Sequence, residues 1–158
     1  MNILYPDADR PTVFEEALKF QDFIVDLLLK EIGLAVTNYS SRYYQYNYGE
    51  NKQGIEIKLD TRIIETGNVS IEVAEKTRAD IEYWTPSGIL RNDNSWLYIQ
   101  GNYDIVYIFG KEHLKRIHLE KYKDKVWQPK PTIKTFLMPV NVANIIALKV
   151  IKTGDNNG

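Results

Sequence analysis

From Phe14 to Leu29 the apolar residues Phe14, Leu18, Ile24, Val25, Leu28 and Leu29 recur at helical spacing, and Gly33 follows as a stop. The pattern predicts one long amphipathic helix from Pro11 to Ile32, with Thr12 as N-cap and Glu15 completing a capping box. Beyond it the period changes. Val36–Tyr39 and Tyr43–Tyr48 are β-branched and aromatic and predict strands, closed by a turn over Gly49–Gly54. Ile55-Glu56-Ile57-Lys58-Leu59-Asp60 alternates strictly, setting Ile55, Ile57 and Leu59 on one face and Glu56, Lys58 and Asp60 on the other. After a hairpin turn expected at Thr66-Gly67-Asn68, Val69–Lys76 repeats the alternation: Val69, Ile71 and Val73 oppose Ser70, Glu72, Ala74 and Lys76. The two segments are expected to be adjacent antiparallel strands whose polar faces coincide.

Further along, Ser87-Gly88-Ile89 and Asn92–Ser95 read as turns, and Trp96–Ile99 and Ile105–Phe109 as strands. Glu112–Glu120 predicts a short helix packed through Leu114, Ile117 and either His118 or Leu119. Pro129 and Pro131 mark a loop, Phe136–Val140 an extended piece, and Val142–Val150 a closing helix. The fold class expected is α+β (α/β), a central mixed sheet flanked by helices. With 158 residues and no repeat or linker, one domain over 1–152 is expected, with a frayed tail over 153–158.

Composition narrows the function classes. A mean hydropathy of −0.37 and 26% charged residues exclude a membrane protein, and 44% hydrophobic residues exclude a disordered acidic chain. The apolar runs near Phe23 and Leu27 are cut by Asp22, Asp26 and Lys30. The absence of cysteine removes disulfides, zinc–thiolate sites and cysteine nucleophiles, leaving oxygen ligands for any metal. Met1–Arg10 has no apolar core of signal-peptide length, so a cytoplasmic protein without a membrane partner is expected. Net charge is −1, yet Lys111–Lys134 holds eight basic residues against three acids, so a basic lobe stands beside an acidic one. His113 and His118, five apart, fit no metal pair on one helix face. No phosphate-binding loop, dinucleotide fingerprint or nucleophile elbow occurs. Tyr43, Tyr44, Tyr46 and Tyr48, beside Arg42 and Lys52, suit stacking on unpaired bases; cross-strand pairs or a dimer interface are the simpler reading.

The chemistry suggested by the two alternating segments is that of a divalent cation. Two carboxylates on adjacent strands suit Mg²⁺ or Mn²⁺, which fill their remaining positions with water and phosphate oxygens. Helix, strand ending in Asp60, and strand carrying Glu72 together resemble the PD-(D/E)XK nuclease superfamily, with its restriction endonuclease-like α-β-β-β-α-β core. The residues that carry the likeness are Gly54–Asp60, Thr66–Glu72 and Ser87-Gly88-Ile89, and small phage and bacterial members are the most similar. The resemblance implies Asp60 and Glu72 as metal ligands, assisted by an acid of the first helix, Glu16 or alternatively Asp22. It also implies a lysine two residues after the glutamate, but that position is Ala74, so Lys76 or Lys58 is expected in its place. Glu56-x-Lys58 by itself reads as a surface ion pair, and Glu50 as a weaker candidate acid. Lys115, Arg116, Lys121, Lys123 and Lys125 are expected to grip backbone phosphates, DNA being favoured over RNA, and a homodimer fits the superfamily. Two other classes compete: an inactive nucleic-acid-binding module of the same fold, for which Ala74 speaks, and a phage protein that binds or inhibits a host protein.

Overall fold

The computed structural model describes residues 13–39 and 42–154, without the side chains of Val13, Arg42, Tyr43 and Tyr46. Helix α1 spans Val13–Ile32 and buries Phe20, Ile24, Leu27 and Leu28, with Glu15 and Glu16 in its first turn and Lys30 in its last, as the helix dipole favours. Gly33 N–H donates back to Leu29 O at 3.2 Å and ends it. The Pro11 start and the Thr12 cap lie outside the described residues.

Among the described residues, eight strands form two four-stranded sheets. In the first, β1 (Ile55–Leu59) runs parallel to β4 (Leu97–Gly101), which pairs antiparallel with β5 (Ile105–Gly110) and through it with β8 (Lys149–Lys152). In the second, β2 (Asn68–Glu75) lies between the short β3 (Thr85–Pro86) and β7 (Ile133–Pro139), and β6 (Trp127–Lys130) completes the edge. The first sheet is the middle layer. One face, with Ile55, Ile57, Ile99, Val106 and Ile108, packs on α1; the other, with Tyr98, Tyr107 and Phe109, packs on Val69, Ile71, Val73, Phe136 and Met138 of the second sheet. The architecture is therefore α+β, arranged as helix, sheet and sheet.

Several local expectations are corrected. Tyr43–Tyr48 is not a strand but lies in helix α2 (Arg42–Tyr48), where the rings of Tyr44 and Tyr48, four residues apart, meet at a tilt with centroids 5.6 Å apart. Val36–Tyr39 contributes one isolated bridge, Asn38 to Asn51. The turn before β2 is a single helical turn, α3 (Ile63–Thr66), and β1 and β2 do not pair: they belong to different sheets. A central mixed sheet thus becomes two sheets. Helix α4 (Lys111–Ile117) runs on through a π-helical turn, His118–Tyr122, which turns His118 inward and leaves Leu119 exposed. The Pro129 loop is strand β6, and the closing helix, α5 (Val140–Ile146), stops early so that β8 can pair with β5. Of the expected tail, 155–158 lies outside the described residues.

Candidate functional site

The site begins at the free edge of β1. Asn51 Oδ1 accepts from Ile55 N–H at 2.9 Å, Asn51 Nδ2 donates to Ile55 O at 2.7 Å, and Glu50 Oε2 accepts from Ile57 N–H at 2.7 Å. Side chains stand where another strand would otherwise supply partners. The loop that carries them is held by Asn94 Nδ2 on Asn51 O and Trp96 Nε1 on Gln53 O, both at 2.7 Å. Gly54 is needed there: φ is +75°, and a Cβ would lie 2.6 Å from Asn94 O and 2.7 Å from Trp96 Cδ1.

Strand alternation turns Glu56 and Lys58 toward the second sheet, on the same side as Tyr98 and Gln100, their register partners in β4. That side is covered, so Glu56 is only 5% exposed. Its Oε1 lies 3.3 Å from Lys58 Nζ, while its Oε2 is buried with no hydrogen-bond partner, as is the Tyr98 hydroxyl. Burial drives the Glu56 carboxyl pKa upward and nearby Asp93 adds to it, against the pull of Lys58. Burial likewise pushes Glu50 up to about 8, with Glu56 and Asp93 reinforcing, Lys58 and the Ile57 N–H opposing. Desolvation alone would lower Lys58, but Glu56 and Glu72, whose Oε2 is 3.5 Å away, outweigh it and hold its pKa well above the usual value. Two crowded, proton-hungry carboxyls therefore share one firmly charged ammonium.

Beneath them, Lys111 is 2% exposed and donates to Asp93 Oδ1 at 2.9 Å, Ser95 Oγ at 2.6 Å and Arg91 O at 2.8 Å. Burial would raise the Asp93 pKa, but the bonds it accepts from Lys111, the Ser95 hydroxyl and Ser95 N–H outweigh it and bring the pKa down. A cleft of about 750 Å³ opens over the cluster, with Phe14, Glu16 and Gln21 of α1 on one side, Glu50, Glu56 and Lys58 at its base, and Lys76, Thr85, Arg91 and Lys130 opposite.

The residues expected from sequence fall in different places. Asp60 lies beyond the cluster with both oxygens engaged: Oδ1 accepts from Arg62 N–H at 3.2 Å, Oδ2 from Ser70 N–H at 3.0 Å and from Gln100 Nε2 at 2.8 Å. It joins the end of β1 to both sheets. Glu72 meets Lys58, beside a bulge where β2 shifts register against β7 between Glu72 and Ala74. Of the two lysines offered in place of Ala74, Lys58 is at the acids, whereas Lys76 lies over the Trp84 ring. Glu16 lines the cleft and is exposed. Lys115, Arg116, Lys121, Lys123 and Lys125 follow one another along α4 and the turns after it, and none lines the cleft. The acids at the cluster are Glu50, the weaker candidate by sequence, and Glu56, which by sequence reads as half of a surface ion pair; the signal for them is Glu56-Ile57-Lys58, a glutamate-x-lysine spacing in its own right. Among the described residues no three His, Asp or Glu are gathered as a metal-holding group. Comparisons with protein-family models, curated proteins and solved structures found no match, so the geometry alone bears on function.

Proposed function

We propose that this chain is a metal-dependent nuclease of the PD-(D/E)XK kind, with its centre at Glu50, Glu56 and Lys58 instead of Asp60 and Glu72. The observation that carries the reading is the buried, unpartnered Oε2 of Glu56 beside a second acid that holds its proton to about pH 8. Such a pair is costly by itself and is relieved by a cation. Two carboxylates are enough for Mg²⁺ or Mn²⁺, which keep water and phosphate oxygens as their other ligands, so Glu50 and Glu56 fit the ion the family resemblance implies. When bound, that ion polarises a phosphodiester and acidifies a water.

The remaining work falls to the chain. Lys58, kept charged by Glu56 and Glu72, donates to the phosphate and offsets charge that gathers on it. Glu72 holds the ammonium in position, and Asp60 ties the end of β1 to β2 and β4. In this reading α1 and the β1-β4-β5-β8 sheet form the restriction endonuclease-like core, and the second sheet walls the cleft.

The test is cleavage of labelled single-stranded DNA and plasmid with Mn²⁺ or Mg²⁺. Wild type is expected to cut, and Glu56→Gln and Lys58→Ala, checked for folding by circular dichroism, to lose activity by about 100-fold or more. Undiminished cutting by Glu56→Gln refutes the assignment. Metal-independent binding without any cutting by the wild type returns the inactive module.

A further inference from the structure

Beside the cleft, next to its Lys76 and Thr85 lining, lies a second constellation. Lys76 Nζ and Lys134 Nζ each lie 4.5 Å from the centre of the Trp84 ring. Strand ends bring them there: Lys134 of β7 pairs with Ala74 of β2, and Lys76 N–H donates to Thr132 O at 2.9 Å. Lys76, Lys130 and Thr85, the residue after Trp84, all line the cleft that holds Glu50 and Glu56. Tyr83 is 74% exposed beside Trp84, and Trp127, 45% exposed, pairs with Thr135 next to Lys134.

Charge makes this corner unusual. Among the described residues Lys76, Lys130 and Lys134 have no carboxylate within ion-pair distance, although Glu75 lines the same cleft. The nearby Asp80 is taken by Arg78. Two ammonium groups drawn to one indole repel each other, and a partly exposed ring is a weak substitute for an anion. A phosphodiester placed between them satisfies both and releases the ring, which a base then covers. A duplex can use the lysines but has no free base for the indole; a single strand uses both.

We infer that Trp84, Lys76 and Lys134 form a binding site for single-stranded nucleic acid, from which the strand enters the cleft past Lys130. The inference deepens the nuclease reading by naming its substrate as an unpaired strand, and it rests on that reading for the strand's destination.

The experiment is fluorescence anisotropy of a labelled oligothymidylate titrated with the full chain in EDTA, where nothing is cut. Trp84→Ala is expected to weaken binding roughly tenfold or more, with Trp84→Phe retaining most of it. Lys76→Gln and Lys134→Gln are each expected to lower the slope of log affinity against log salt by about 0.7, a change that a packing defect does not produce. A hairpin duplex is expected to bind more weakly and to be indifferent to Trp84→Ala. Unchanged oligothymidylate affinity in folded Trp84→Ala overturns the inference; if that variant unfolds, unchanged salt slopes in both lysine variants overturn it. Binding that depends on Trp84 without any cleavage by the wild type removes the nuclease reading alone, and cleavage without such dependence removes this one alone.

Discussion

Replacing Glu50 by glutamine is expected to stabilise the protein, and to do so increasingly as pH rises from 4.5 to about 8. The Glu50 carboxyl goes from 4.5 in the unfolded chain to about 8 in the fold, chiefly through burial, then through Glu56 and Asp93. The native state therefore binds the proton more tightly. Native stability is full below pH 4.5 and is lost as pH rises until it passes about 8. At ~1.4 kcal/mol per pH unit, the loss reaches at most roughly 5 kcal/mol. A glutamine carbonyl can still accept the Ile57 N–H, so the cap on β1 survives while the ionisable group goes. In a domain of this size ~1 kcal/mol moves Tm by about 2–4 °C, so the variant is expected to melt about 10–20 °C above wild type near pH 8.5 and within a few degrees of it near pH 5. Thermal unfolding followed by circular dichroism across that range reads the difference; Glu56 is also raised and leaves both proteins with some slope. Melting curves for the two proteins that stay parallel from acid to alkaline pH would refute the burial argument.

The other expectations concern how the site is held. Gly88→Ala puts a Cβ 2.2 Å from Glu72 O at a backbone φ of +55°, and urea titration should show a loss of about 2–4 kcal/mol. Lys111→Met strands Asp93, Ser95 and Arg91 O in a buried place and should cost about 3–5 kcal/mol by the same measurement. Lys58→Met leaves Glu56 and Glu72 without their shared cation. Removing that cation raises the Glu56 pKa further, so the variant's deficit in Tm should widen as pH rises from about 5 to 8, and added Mn²⁺ should narrow it.

Some of this was legible in the chain. The α1 stripe and the alternation in β1 and β2 follow from period alone, and Ile55, Ile57, Val69, Ile71 and Val73 are all buried as that period requires. Alternation gives the face but not the layer beyond it. The Glu56 side of β1 reads as wet, yet it is covered because β1 pairs in parallel with β4, about forty residues on, leaving β2 to enter another sheet. Proximity in sequence suggested a hairpin, whereas the Ile63–Thr66 turn sends the chain across layers. Tyr43–Tyr48 misled for a related reason: aromatic content favours strands, but Tyr44 and Tyr48 pack against each other along a helix while Gln45 bonds Gln21 of α1 and Tyr39 O. Asp60 drew notice as the last acid of a strand; a carboxylate at that end is equally suited to bonding backbone N–H groups, which is what it does.

The proposed cation site is tested most directly by calorimetric titration of Mn²⁺ at pH 7 in two buffers of different ionisation enthalpy, which counts protons released. A carboxyl with a pKa of about 8 is mostly protonated there, so Glu50 should contribute about one proton to the release when an ion binds wild type. Glu50→Gln should release about one proton fewer per ion than wild type, and Glu56→Gln should bind far more weakly. Binding heat that is absent in wild type, or that is the same in Glu56→Gln, would contradict the site.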